Sequence, residues 1–584
     1  MTRNFDGIIS FIGTFFAVIL APKLTFKNLK WGQYKTMIYL ATLLSFLIVI
    51  ISGWMNASAY AAVYYIKYNG NDKASGLSDT KAWKTIAKVN DYAENPGFAN
   101  GDSILFNKGD TFSSMEALGQ DGGGAINWGT ISGFTIDSYG TGADPIFDGN
   151  TITGDQVIDI DASGITNLTI QNITINGMDG NYNQLIDIHD VNGVTISNIA
   201  IDARSGSSSF PRPDHLIRLT DIVGDILVED STITNCYPTT WNDWVGNDCV
   251  GLRLQHNFGG GDPKTVGTIT IEGNTITGMY SDSIAIEKIQ STNFYIRNNT
   301  LGNYAENSLD SKGSHNWQYY NNIVYRTWGN TGGSSPGAAS ALVIHDSKDN
   351  AYETEDAKIY NNYFYDEDKA GVRIEEARRL KVYQNYFKDV ARALQANWCM
   401  GLDFENNVIV ATAAPVGVNE ALYVANSVNN DDIKLINNSI YITHADYAEG
   451  IYWSAIGGQT GGIIRNNAVM IEAGSSGYPL YMKDGDSSNN FPEVGHNIWY
   501  NADHANRVYW DRKTFSGSEQ NSWQSTGHSS GLFLDPIFYN PTADDFKLNA
   551  NSPCLECGAD VKLIKFLPIS TSKLSSPNHL KIRK

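Results

Sequence analysis

Arg297-Asn298-Asn299-Thr300-Leu301, Tyr320-Asn321-Asn322-Ile323-Val324 and Tyr360-Asn361-Asn362-Tyr363-Phe364 are copies of one phrase. The same phrase recurs around Asn274, Asn385, Asn407, Asn438, Asn467 and Asn497. The nine asparagines are separated by 25, 23, 40, 23, 22, 31, 29 and 30 residues. A minimum period of 22 to 25 residues, lengthened by occasional insertions, is what a stack of short-stranded coils requires. No single coil can bury its own apolar face, so neighbouring coils share one core. Asn suits the bend between strands because it tolerates the left-handed conformation and bonds to nearby backbone. Stacked amides can also bond to one another up the ladder. The expected fold is all-β: a single-stranded, right-handed parallel β-helix, a solenoid that extends one core.

Bulk composition agrees. The chain has 584 residues with 55 Gly, 16 Pro and 11% aromatic residues, among them 31 Tyr and 13 Trp. That is too apolar and aromatic for a disordered chain. A net charge of −20 argues against nucleic acid or an anionic membrane surface as partner. It also weighs mildly against an acidic polymer unless local cations or a metal offset the field. Five cysteines are too few for a disulfide scaffold. Cys554-x-x-Cys557 lacks the second pair a zinc site needs, which leaves a local disulfide.

At the amino terminus Lys23, Lys27, Lys30 and Lys35 precede an apolar run from Met37 to Ile51. Ala57-Ser58-Ala59 or Ala59-Tyr60-Ala61 then offers a small-residue cleavage site. Basic, apolar, small is the order of a secretory signal, so export is expected, to the extracellular space or the periplasm. An earlier apolar stretch, Ile8 to Ala21, allows a retained N-terminal anchor instead, the one contact with a membrane that the sequence suggests. A monomer is expected.

Residues 1–62 are read as this signal or anchor, 63–132 as an N-terminal cap and first coils, and 133–500 as the coils. Residues 501–561 are read as a closing segment and 562–584 as a basic tail. The Tyr64–Asp72 stretch, a helical segment near residues 80–94 and Gly101-Asp102-Ser103-Ile104-Leu105-Phe106 resemble the start of secreted right-handed β-helix proteins of the pectate-lyase-like superfamily. That resemblance implies a capping helix over the first coil, where open strand edges would otherwise recruit other chains. Leu534-Asp535-Pro536-Ile537-Phe538 and Ser552-Pro553-Cys554 resemble the closing segment of the same superfamily. β-Helices host lyases, hydrolases, epimerases and adhesins alike, so the site must decide between them.

Strand alternation predicts which residues share a wall. Ile217-Arg218-Leu219-Thr220, Leu252-Arg253-Leu254-Gln255, Ile284-Ala285-Ile286-Glu287, Leu309-Asp310-Ser311-Lys312, Leu342-Val343-Ile344-His345 and Val372-Arg373-Ile374-Glu375 are apolar at every second position except Ser311. One outward column then carries Arg218, Arg253, Asp310 and Arg373. Its neighbour carries Glu287, Lys312, His345 and Glu375. Such a cluster can be an ordinary surface charge ladder, but ionisable clusters are enriched at active sites. Trp241 and Trp244 are expected to add stacking rings at a groove wall. The loop Gly329 to Ser335 is expected to border it.

Within this column, Glu306-x-x-x-Asp310-Ser311-Lys312-Gly313-Ser314-His315-Asn316 resembles the base-bearing strand of alginate lyase and chondroitinase B type enzymes. That family places acidic calcium ligands before a lysine base and an arginine proton donor on the next coil. Here the next coil carries His345, and Arg373 follows one coil later. The resemblance implies β-elimination from a uronic-acid polysaccharide, with Lys312 as base, its pKa lowered by neighbouring Arg and calcium. Arg373 or His345 would neutralise the carboxylate or protonate the leaving oxygen. Glu287, Glu306 and Asp310 are the candidate Ca2+ ligands. Arg253 and Glu375 would bind substrate. A glycoside hydrolase would instead use two carboxylates, Asp310 with Glu287 or Glu375. In a glycan-binding adhesin the aromatic rings would matter and the charges would not. No Asp-Pro-His-Asp run of the alginate epimerase kind is present.

Overall fold

The chain divides into residues 1–60 and 61–584. The computed structural model describes Thr42 and residues 61–559, except 114–115, 122–123, 127, 152, 178–183, 204–213, 237–248, 257–263, 327–339, 347–352, 368, 413–419, 425–430, 444–448, 455–460, 473–476, 484–490, 503–505, 526–530 and 542–544. The expected signal, the basic tail, Trp241, Trp244 and the Gly329 to Ser335 loop lie outside the described residues. Among those described, no helix is long and apolar enough to cross a membrane.

Nearly every strand joins one continuous parallel sheet wound into a right-handed β-helix. Each coil runs along three walls, and some strands, such as Ala370–Tyr383, continue from the first wall into the second. One coil runs Ile284–Glu287, Ile289–Arg297 and Thr300–Tyr304, and the next Asn307–Lys312, His315–Tyr320 and Ile323–Tyr325. They stack in register, Ile284 on Leu309, Ile296 on Tyr319 and Leu301 on Val324. The alternating apolar side chains point inward and form one core along the whole stack.

The nine asparagines form a single buried ladder at the corner between the second and third walls. Each Nδ2 from Asn274 to Asn467 donates to the Oδ1 of the next asparagine at 3.0–3.2 Å. Each also donates to a backbone carbonyl of the coil below, as Asn385 does to Ile359 at 3.0 Å. The left-handed bend itself falls one residue earlier than the repeat suggests. Asn298, Asn321, Asn361, Gln384, Asn406, Asn437, Asn466 and His496 have φ between 54° and 57°. The ladder asparagines are therefore selected for their amides, and their predecessors carry the backbone conformation.

At the N-terminal end the helix Ile86–Glu94 buries Ile86, Val89 and Ala93 against the core. Thr85 caps it by accepting from the Lys88 amide at 3.1 Å. At the other end residues around Phe538, Phe546 and Cys557 cover an apolar patch on the outside of the third wall, over Tyr386, Val408, Val410 and Tyr441. Cys554 and Cys557 form the expected local disulfide. A second disulfide, Cys236–Cys249, was not legible from spacing, and Cys399 is buried and belongs to neither disulfide.

Candidate functional site

Strand pairing on the first wall reproduces the outward columns. Asp187, Arg218, Arg253, Ala285, Asp310, Val343 and Arg373 stack in order. Beside them stack His189, Thr220, Gln255, Glu287, Lys312 and His345. The pairing ends at Ile344 on Ile374, one residue short of Glu375. Glu375 instead accepts from Arg373 Nε at 2.9 Å and from Asn397 at 3.1 Å.

Asp310 is the centre of the array. Only 5% exposed, its two oxygens meet Lys312 Nζ at 2.7 Å and His345 Nε2 at 2.8 Å. Burial alone would raise its pKa. The hydrogen bond from His345 and the charge of Lys312 outweigh burial and hold the carboxyl below the usual carboxylate range. The same contact acts in reverse on Lys312. Burial pulls the ammonium down, but the Asp310 carboxylate holds its pKa above that of a free lysine. The expected lowering of Lys312 toward neutrality therefore fails, because its nearest partner is an anion rather than an arginine.

One coil below lies a carboxyl that the columns do not include. Asp282, 4% exposed, accepts from Asn307 Nδ2 at 2.7 Å. Burial, then the charges of Asp310 and Glu306, raise its pKa well above the ordinary carboxylate value. It precedes its strand, at the bend entering the wall, where two-residue alternation is not applied. Its one sequence signal is the polar run Ser281-Asp282-Ser283 directly before an apolar strand. Further along, Glu376 is pushed up to about 7 by burial and by the Asp346, Glu353 and Glu375 carboxyls.

The flanks are held by ion pairs. Arg253 Nη2 meets Glu287 at 2.8 Å, and its Nη1 lies 3.3 Å from His215 Nε2. Burial and the two neighbours Arg253 and Arg218 push the His215 imidazole down to about 3, so it is neutral at ordinary pH. Arg218 pairs with Asp187, and Asp187 with His189 at 2.8 Å.

The three candidate calcium ligands do not converge. Glu287 is committed to Arg253 and both Asp310 oxygens are engaged, while exposed Glu306 accepts from Ser281 Oγ at 2.8 Å. Among the described residues no group of three or more His, Cys, Asp or Glu side chains could hold a metal ion. As placed, these three carboxylates do not fit Ca2+. In several places the outward tyrosine rings stack on one another, as Tyr320 does on Tyr360 at 4.7 Å.

Residues 262–409 match the family model described as right handed beta helix region. A search of the curated proteins finds no match. Among solved structures, the chain is similar to PfbA, a surface adhesin of Streptococcus pneumoniae (13% identity, 74% of this chain, 94% of that one, TM-score 0.42). It is similar to the catalytic unit of the GH87 alpha-1,3-glucanase of Streptomyces thermodiastaticus strain HF3-3 (12%, 79% and 72%, TM-score 0.41). It is also similar to an alginate lyase from Paenibacillus sp. str. FPU-7 (17%, 58% and 96%, TM-score 0.32). At these values the chemistry has to come from the side chains themselves.

Proposed function

We propose that this protein is a carbohydrate-active enzyme that hydrolyses glycosidic bonds on its first wall. Asp282 would be the general acid and Asp310 the ionised partner. The observation that carries this reading is the opposite displacement of two neighbouring carboxyls. Asp282 is buried beside the Asp310 and Glu306 carboxyls, which raises its pKa, while the contacts with His345 and Lys312 lower that of Asp310. Two carboxyls whose environments push their pKa values apart are the pattern of acid–base glycoside cleavage. Asp310 stacks on Ala285, three residues along the strand from Asp282.

In this mechanism the Asp282 carboxyl protonates the glycosidic oxygen as the bond to the anomeric carbon breaks. Asp310 either attacks that carbon or removes a proton from an attacking water. Lys312 and His345 keep Asp310 ionised and hold its orientation. Export is proposed with it, supported by the N-terminal pattern and by two disulfides, which persist in oxidising compartments.

One contact favours a second reading. His345 Nε2 is held by Asp310, as a base held by an orienting carboxylate would be. In β-elimination from a uronic-acid polymer, His345 would take the proton. Lys312, held protonated, would neutralise the uronate in place of acting as the base.

Incubation with a panel of neutral and uronic-acid polysaccharides separates the two. Hydrolysis yields reducing ends without ultraviolet absorbance, and elimination yields an absorbing unsaturated end. Asp282→Asn and Asp310→Asn are each expected to lower kcat on the order of 10²–10⁴-fold. If both variants keep full activity, the hydrolase reading is wrong.

A further inference from the structure

The outward column that carries Asp310 does not end with the charges. Beyond Arg373 it continues through Gln395 to Tyr423, Tyr452, Tyr481 and Tyr509. The four rings stack face to face, with centroids 5.0, 5.4 and 4.5 Å apart and planes within 14° of parallel. Their faces are covered by each other, so the strip presents phenol edges and hydroxyls. Among the described residues the Tyr423 and Tyr452 hydroxyls have no hydrogen-bond partner in the protein. A polar group in this position bonds to solvent or to a ligand. The ring spacing is close to the length of one pyranose unit in an extended chain.

The charges named beside the strip nearly cancel, three cations against two anions. Arg392 lies over the Tyr423 ring at 4.3 Å and is committed to Glu420 at 2.9 Å. Glu449 stacks on Glu420. Arg507 lies over Tyr500 and donates to the neutral Asn501 carbonyl, so it keeps its charge and stands with Lys483 against Glu449. A polyanion carries a charge on every unit and would find about one net cation along these four coils, on a chain whose net charge is −20.

We infer that this tyrosine strip is a binding track for an uncharged polysaccharide, whose hydroxyl groups bond to the phenol edges. The inference rests on the reading of the first wall as the reacting face. Tyr423 is four coils from Asp310 and Tyr509 seven, roughly 19 and 34 Å at the coil spacing of a parallel sheet. The substrate is then a long neutral chain that extends several units past the point of cleavage, and not a short oligosaccharide or a uronan.

The test is affinity electrophoresis of the full chain through gels containing β-1,3-glucan, β-1,4-glucan, α-glucan, xylan, mannan or alginate. Tyr423→Phe/Tyr452→Phe preserves the stack and removes two hydroxyls. Retardation by at least one neutral polymer is expected. The double variant should weaken that retardation about three- to tenfold per hydroxyl, with unchanged Tm. Wild-type retardation of the double variant overturns the inference, as does retardation by alginate alone or by no neutral polymer. Asp310→Asn is measured in the same gels and in the activity assay. An inactive Asp310→Asn with a tyrosine variant that binds normally defeats the track and spares the hydrolase. Full activity of Asp310→Asn with impaired binding in the tyrosine variant does the reverse.

Discussion

Asp310 decides the character of its surroundings, because one buried carboxylate in contact with Lys312 and His345 holds the lysine charge and keeps its own. Removing Lys312 removes one of the causes that depress Asp310. Lys312→Ala should therefore move the acid limb of the pH–rate profile to higher pH, since Asp310 then protonates sooner on acidification. An unshifted acid limb would show that Asp310 does not titrate in the reaction. His215 supplies a separate stability test. Its folded pKa, about 3, lies below the ordinary histidine value, so between about 3 and 6.5 the unfolded chain binds a proton that the native chain refuses. The stability this gives is complete above pH 6.5 and is lost as pH falls toward 3. A His215→Gln variant should show a flatter decline in Tm over that window than the wild type. Parallel declines would mean that His215 is accessible to protons in the native state.

At the scale of the coil, the asparagine ladder and the bend before it make different demands. Asn385 is fully buried, accepts from the Asn362 amide at 3.1 Å and donates to Asn407 and to the Ile359 carbonyl. Asn385→Ala leaves several of these groups unpaired and should cost about 3 kcal/mol. Denaturant unfolding checks this, and a loss below about 1 kcal/mol would mean that water replaces the amide. Gln384 holds φ at 57°, a conformation that glycine adopts without strain. Gln384→Gly should therefore cause no loss and gain up to about 1 kcal/mol. Two adjacent substitutions with opposite signs would separate side-chain from backbone selection in the repeat.

Across the whole stack, coils contact only their neighbours, so the ends carry the exposure problem of the fold. Tyr64, Trp83, Tyr92 and Phe98 pack as one aromatic group beside the first strand, with Tyr64 stacked on Trp83 at 5.0 Å. Deleting residues 61–100 should uncover the first strand edges and the core cross-section and drive self-association. Size-exclusion chromatography should then show soluble aggregates where the longer protein elutes at a single smaller size. A truncated chain that elutes as a monomer would assign the protection to another segment.

The asparagine period and the two-residue alternation determined the fold and the register of the first wall, down to Arg253, Asp310 and Lys312 on their columns. Both are local rules of strand geometry repeated along the chain, so they survive translation into three dimensions. The same rules missed Asp282, which lies at a bend, and placed the left-handed residue one position late. They also could not fix charge states. Whether Lys312 is a base or a held cation depends on which ion lies 2.7 Å from it. Whether the tyrosines offer faces or edges depends on how rings on successive coils lean. Both are settled by packing between coils and by burial, which lower the local dielectric and make each nearest partner decisive. That information exists only once the coils are stacked.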